Sequence, residues 1–183
     1  MARVAPRRLR SFPPIIDGAS RVLVLGTMPG PESLRRRQYY AHPANRFWTL
    51  VAAALGRQTP RSYAEKRAML REGRIALWDT LRFCRRLSAL DSDIRAARLN
   101  DVSALLARYP NIRAIFANGR GAERFLRRHG KEALAVPVQP LPSSSPANAG
   151  MSPAQKRRRW RALRRWLERG SQRTGAKKRG RSR

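Results

Sequence analysis

Apolar residues along this chain gather into four short runs, separated by segments of helical period. RVLVLG (21–26), RIALWD (74–79), IRAIFANG (112–119) and AVPVQPLP (135–142) are of strand length and nearly continuous in apolar residues. That is the pattern of strands covered on both faces. In NRFWTLVAAALG, Phe47, Leu50, Val51, Ala54 and Leu55 fall on one helix face, and Gly56 supplies the stop. TPRSYAEKRAML places Pro60 in a first turn and offers a Ser62-x-x-Glu65 capping box. Asn100 is suited to cap DVSALLARY, and Ala122, Phe125 and Leu126 stripe a further helix. Strands alternating with helices predict an α/β fold, a parallel sheet with helices on both faces. Pro137 and Pro140 make the last strand a short one or an edge, because proline cannot donate to a ladder.

The pattern changes after Ser152. PAQKRRRWRALRRWLERG puts Trp160, Leu163 and Leu167 on one face of a helix and arginines on the rest. From Gly170 the chain has almost nothing apolar to bury, which predicts a disordered basic tail over 170–183. The folded domain is then 1–169, with about the first ten residues loose. At 183 residues and 42% hydrophobic content there is enough chain for one domain with a real core.

Charge narrows the choice of partner. The chain carries 41 Lys+Arg against 11 Asp+Glu, a formal net charge of +30. The segment from Ser152 onward holds 14 basic residues and 1 acidic one, so most of the excess belongs to the domain itself. A field of this size favours polyanions, nucleic acid foremost. Cys84 is the single cysteine, which excludes a disulfide, an iron–sulfur cluster and a cysteine-based zinc site. His42 and His129 sit in no ligand-spaced cluster, so a metal is not expected. The N-terminal MARVAPRRLRSFPP lacks an apolar signal core, and no run is long enough to span a bilayer. The expectation is a soluble cytoplasmic protein associated with the nucleoid, without a membrane partner. The basic surface argues for a monomer.

Three polar loops leave strand ends. GTMPG (26–30) follows the first run, but no Gly-Lys-Ser/Thr follows it and GxGxxG is absent, so both nucleotide-loop readings fail. It is either a tight strand exit or part of a ligand site, since open parallel sheets bind ligands at the carboxyl ends of their strands. In QYYAHPANRFW, Tyr39 and Tyr40 suit either a core or base stacking, and Asn45 can serve as an N-cap. LPSSSPANAGMSP (141–153) is either a linker or a third wall of the same site.

Taken in order, GTMPG, QYYAHPANRFW, IALWDTLRFCRR with SALDSDI, FANGRGAERF and LPSSSPANA resemble the uracil-DNA glycosylase superfamily, and within it the hypoxanthine-DNA (deoxyinosine) glycosylase family. The resemblance covers about Ser11 to Trp166. It implies a three-layer α/β/α domain with a four-stranded, mostly parallel sheet. It also implies an enzyme that hydrolyses the N-glycosidic bond of a flipped-out deaminated base in double-stranded DNA, without metal or cofactor. The same resemblance makes Gly26, Thr27, Met28, Pro29 and Gly30 the lining of the base pocket, Tyr40 the stacking aromatic and Asn118 the reader of the base edge. Asn45 takes the catalytic, water-positioning role, because Met28 stands where relatives hold a polar residue. Ser143, Ser144, Ser145, Pro146, Ala147 and Asn148 become DNA contacts, with a wedge within Ala147–Met151. Many relatives have a histidine in that last loop, where this chain has Leu141 and Ser145. A uracil or mixed-specificity mismatch glycosylase, and a non-catalytic DNA- or RNA-binding protein on the same fold, are the alternatives.

Overall fold

The four apolar runs assemble into one parallel sheet in the computed structural model, which describes residues 7–86, 90–128, 134–148 and 150–175. Its strands are β2 (Val22–Gly26), β3 (Ile75–Asp79), β6 (Ala114–Asn118) and β7 (Val138–Leu141), in the order β3-β2-β6-β7. Successive side chains of a strand point to opposite faces, and that alternation builds two cores. Val22, Val24, Ile75, Leu77, Ala114 and Phe116 face one layer of helices: α2 (Phe47–Leu55), α3 (Tyr63–Glu72), α6 (Pro153–Trp160) and α7 (Ala162–Gly175). Leu23, Leu25, Ala76, Ile115 and Ala117 face the other layer, α4 (Val102–Arg108) and α5 (Arg120–Arg127). The architecture is the expected three-layer α/β/α sandwich. Pro140 lies on edge strand β7, where its missing N–H breaks no ladder.

A second sheet was not anticipated. β1 (Arg7–Arg10), β4 (Leu81–Arg86) and β5 (Arg95–Leu99) form an antiparallel sheet in the order β1-β4-β5. Only Thr80 separates β3 from β4, so the sequence reads as one run although the chain changes sheets there. Asn100 stabilises the change. Its Nδ2 donates to the carbonyls of Asp79 at 2.8 Å and Leu81 at 3.1 Å. Asn100 is thus not the cap of α4; that role falls to Asp101, whose side chain accepts from Ala104 N. The small sheet is clad in arginine, with the guanidinium carbons of Arg8, Arg10 and Arg82 at 4.5, 5.6 and 5.3 Å from the centre of the Phe83 ring.

Several boundaries shift from expectation. Arg7–Arg10 pair with β4 and are not loose, because β4 would otherwise present an open edge; residues 1–6 lie outside the described residues. The Ser62–Glu65 capping box is present, while Pro60 sits outside the helix, two residues before the cap. The C-terminal helix breaks at Arg161 into α6 and α7, which lets Trp160 and Leu163 both reach the core. Helix α7 runs on through 170–175, part of the expected disordered tail, since extending a helix costs far less than starting one. Residues 176–183 lie outside the described residues, as does His129. Trp160 is fully buried and its Nε1 donates to Pro142 O at 3.0 Å, tying α6 to the loop after β7. Burying a large apolar side chain contributes roughly 1.5–3 kcal/mol.

Candidate active site at the carboxyl edge of the sheet

Five segments meet where the parallel strands end: 26–30 after β2, 79–80 after β3, 118–119 after β6, 141–148 after β7, and 38–46 between α1 (Pro31–Arg36) and α2. Backbone hydrogen bonds fasten them to one another. Gly26 O accepts from Thr80 N at 2.9 Å, Thr27 O from Leu81 N at 3.1 Å, and Ser144 O from Arg46 N at 3.0 Å. Gly119 has φ 94°, and a Cβ there would stand 2.8 Å from Ser143 Cβ, so only glycine lets the loop after β7 pack on the end of β6.

Asn118 is the hub. Its Nδ2 donates to Tyr40 Oη and to Ser144 Oγ, each at 2.9 Å, while its Oδ1 accepts from Ser144 N at 2.9 Å. Both amide protons are therefore committed in this state, and reading a base edge requires the Tyr40 bond to yield. Tyr40 adopts φ 50°, a left-handed conformation that bulky residues rarely take. Its ring stacks on Phe47 at 3.9 Å and 12°. Phe47 in turn meets Trp48 and Trp160 edge-on. Burial, reinforced by nearby Asp79, holds the Tyr40 phenol well above its ordinary range, so it is a neutral donor and acceptor. Tyr39 differs in kind: it is a core residue whose hydroxyl donates to the carbonyl oxygens of Phe12 and Pro13, both at 3.2 Å.

Asn45 is half-buried and precedes the cap residue Arg46. Its Oδ1 accepts from Phe47 N at 3.0 Å, which fixes the amide against the start of α2 and leaves a second lone pair on that oxygen. Within 26–30 the side chains part company. Thr27 Oγ1 donates to Asp91 Oδ2 at 2.7 Å. Met28 turns away into a satellite core with Leu81, Cys84, Ile94 and Phe125, so only its backbone can line a base site. Pro29 O accepts from the buried Arg86 guanidinium at 2.7 Å, and Gly30 caps α1. In the loop after β7, Ser143 Oγ accepts from Ser145 N, Ser145 Oγ accepts from Ala147 N, and Asn148 Nδ2 donates to Ser143 O, a self-braced turn around Pro146.

Sequence reading passed over two groups here. Lys156, only 5% exposed, donates to Asn148 O at 2.8 Å, and burial with nearby Arg46 lowers its pKa. Asp79, the last residue of β3, is 3% exposed, and its Oδ2 is buried without a hydrogen bond among the described residues. Burial, with the like charge of Asp91 added and Arg86 opposing, pushes the Asp79 carboxyl up to about 8. Its signal in sequence was one acidic residue closing an apolar run, which reads as an ordinary strand end. No group of three or more His, Cys, Asp or Glu side chains among the described residues could hold a metal ion.

A parallel sheet in the order β3-β2-β6-β7, with a Gly-Pro exit, an aromatic on a left-handed backbone and an asparagine at its carboxyl edge, defines a uracil DNA glycosylase-like protein. The family model of the uracil DNA glycosylase superfamily matches residues 13–164, and the chain belongs to that superfamily. Among its relatives, a hypoxanthine DNA glycosylase of Methanosarcina acetivorans is 38% identical over 158 residues, 84% of this chain and 96% of the relative. A hypoxanthine DNA glycosylase of Methanosarcina barkeri is 34% identical over 143 residues, 76% of this chain and 87% of the relative. A solution NMR structure from Methanosarcina acetivorans, of a protein designated a uracil DNA glycosylase, superposes with a TM-score of 0.78 at 36% identity, covering 88% of this chain and 99% of that one.

Proposed function

We propose that this protein is a DNA glycosylase that hydrolyses the N-glycosidic bond of hypoxanthine in double-stranded DNA. The observation that carries the reading is the Tyr40–Asn118–Ser144 constellation over the end of the sheet, in a chain whose relatives bear that activity in their names. Duplex DNA hides the reacting bond, so the damaged nucleotide must be extruded, at a cost of a few kcal/mol. Stacking on the Tyr40 ring face opposite Phe47 recovers roughly 1–3 kcal/mol per base, and Phe47, itself braced edge-on by Trp160, backs the ring from behind. Asn118 exchanges its bond to Tyr40 for the base edge. The second lone pair of Asn45 Oδ1 orients the water that attacks the anomeric carbon. Ser143 to Asn148, with the exposed Arg46 beside them, hold the phosphate chain, and the cationic surface supplies the sequence-independent part of binding.

The test is single-turnover excision from a duplex oligonucleotide carrying deoxyinosine, with uracil-containing duplex run in parallel. Asn45→Ala is expected to slow hypoxanthine release by at least about 100-fold while the far-ultraviolet spectrum and melting transition stay native. A variant that keeps the wild-type rate removes Asn45 from the mechanism. A wild-type protein that excises uracil and spares hypoxanthine overturns the substrate assignment.

A further inference from the structure

We propose that Asp79 is the acid that hydrogen-bonds to the departing base and transfers its proton to it. The proposal rests on the glycosylase reading above. Glycosidic cleavage leaves negative charge on the purine, and the loop after β7 offers Leu141 and Ser145, with no imidazole to meet that charge. Asp79 stands at the carboxyl end of β3, beside the β2 exit. A Cβ on Gly26 would lie 2.6 Å from Asp79 Oδ1 and 2.7 Å from Tyr40 Oη. The carboxyl, the stacking aromatic and the bare α-carbon of Gly26 therefore share one small space, which any side chain at residue 26 would fill.

The strand end does not depend on this carboxyl: it is held by Asn100 on the Asp79 carbonyl and by the Thr80 N–H on Gly26 O, while Oδ2 is buried without a hydrogen-bond partner among the described residues. Leaving such a group unsatisfied costs stability, and a cost of that kind at the carboxyl edge of an open sheet marks function. The groups around it fit a proton donor. Asp91, held by Thr27, presents a like charge. Arg86, engaged with Pro29 O, presents the opposing one. The phenols of Tyr39 and Tyr40 are both neutral. With its pKa pushed up to about 8, the carboxyl carries a proton at neutral pH.

The step balances. As the C1′–N9 bond breaks, its electron pair passes to the purine, and the Asp79 proton passes to N7 of the same base, which leaves as neutral hypoxanthine. The oxygen of a water bonds to C1′, and the proton that water sheds restores Asp79 to its acid form.

The experiment measures single-turnover excision of hypoxanthine by the full chain from pH 5 to pH 10, for wild type and for Asp79→Asn. Binding to a duplex carrying a stable abasic-site analogue is measured in parallel. For wild type the rate is expected to fall about tenfold per pH unit above pH 8. Asp79→Asn is expected to lose about 100-fold or more at pH 7 and to lack that descending limb, with its affinity for the abasic duplex unchanged within about threefold. A wild-type rate that stays flat from pH 6 to pH 10 overturns the proposal without recourse to any variant. So does a variant whose rate and pH limb match wild type, or one whose lost rate is matched by lost affinity. A wild type that releases no hypoxanthine at any pH overturns the underlying reading and this one with it, and is told apart because every other outcome requires measurable excision by the wild type.

Discussion

Replacing Asp79 by asparagine should make the protein more stable, and increasingly so as pH rises. The unfolded chain ionises this carboxyl near pH 4, whereas the folded protein holds it protonated until about pH 8. Below pH 4 both states are protonated and the residue exerts no pH-dependent penalty. Between pH 4 and pH 8 the unfolded state sheds the proton and the folded state keeps it, so wild-type stability declines across that window. Each unit of pKa difference corresponds to about 1.4 kcal/mol, so from pH 5 to pH 8 the wild type loses about 3.5 kcal/mol relative to the isosteric, non-titrating variant. For a domain of this size that is roughly 7–14 °C in melting temperature. Urea or thermal denaturation of both proteins at pH 5, 6, 7 and 8 reads the difference directly, since every other titrating group is common to the pair. Stability curves that run parallel from pH 5 to pH 8 would refute the reasoning, for they would mean that Asp79 ionises in the folded state as it does in water.

Two further substitutions probe the same edge. Gly26→Ala drives a methyl into Asp79 Oδ1 and Tyr40 Oη; it is expected to cost about 1–3 kcal/mol in denaturant unfolding and to reduce excision sharply, and a variant as stable and as active as wild type would contradict the close approach. Asn118→Ala strands the buried Ser144 N–H and removes two donated bonds; a loss of about 1–3 kcal/mol with faster amide hydrogen exchange over residues 141–148 is expected, and unchanged exchange there would show that the loop does not depend on the amide.

How far the chain could be read in advance follows from where burial is local and where it is not. Strands β2, β3, β6 and β7 announced themselves because both faces are covered, which forces uninterrupted apolar runs. The small sheet stayed hidden because its solvent face is arginine stacked on Phe83, a composition that resembles loop. The choice between Asn100 and Asp101 as a cap could not be made from residue type, since both accept well; the demand of the β3–β4 junction for a donor decided it. Met28 occupies its expected position in the chain, yet its side chain is drawn away by the apolar satellite core. Asp79 illustrates the limit most sharply: nothing next to it in sequence marks it, and the role proposed for it rests on the convergence of Gly26, Tyr40 and Asp91, which lie 12 to 53 positions away in the chain.

One backbone bond, from Arg46 N to Ser144 O, has a mechanical consequence. If the two segments play the roles proposed for them, it couples the one that seats the attacking water to the one that grips the phosphate chain, so tightening on the duplex and aligning the hydrolytic geometry would become a single movement. A glycosylase wired in this way would idle on a duplex it grips incompletely, its nucleophile left out of line. Lesions in that loop should accordingly surface as slow turnover before they surface as weak association.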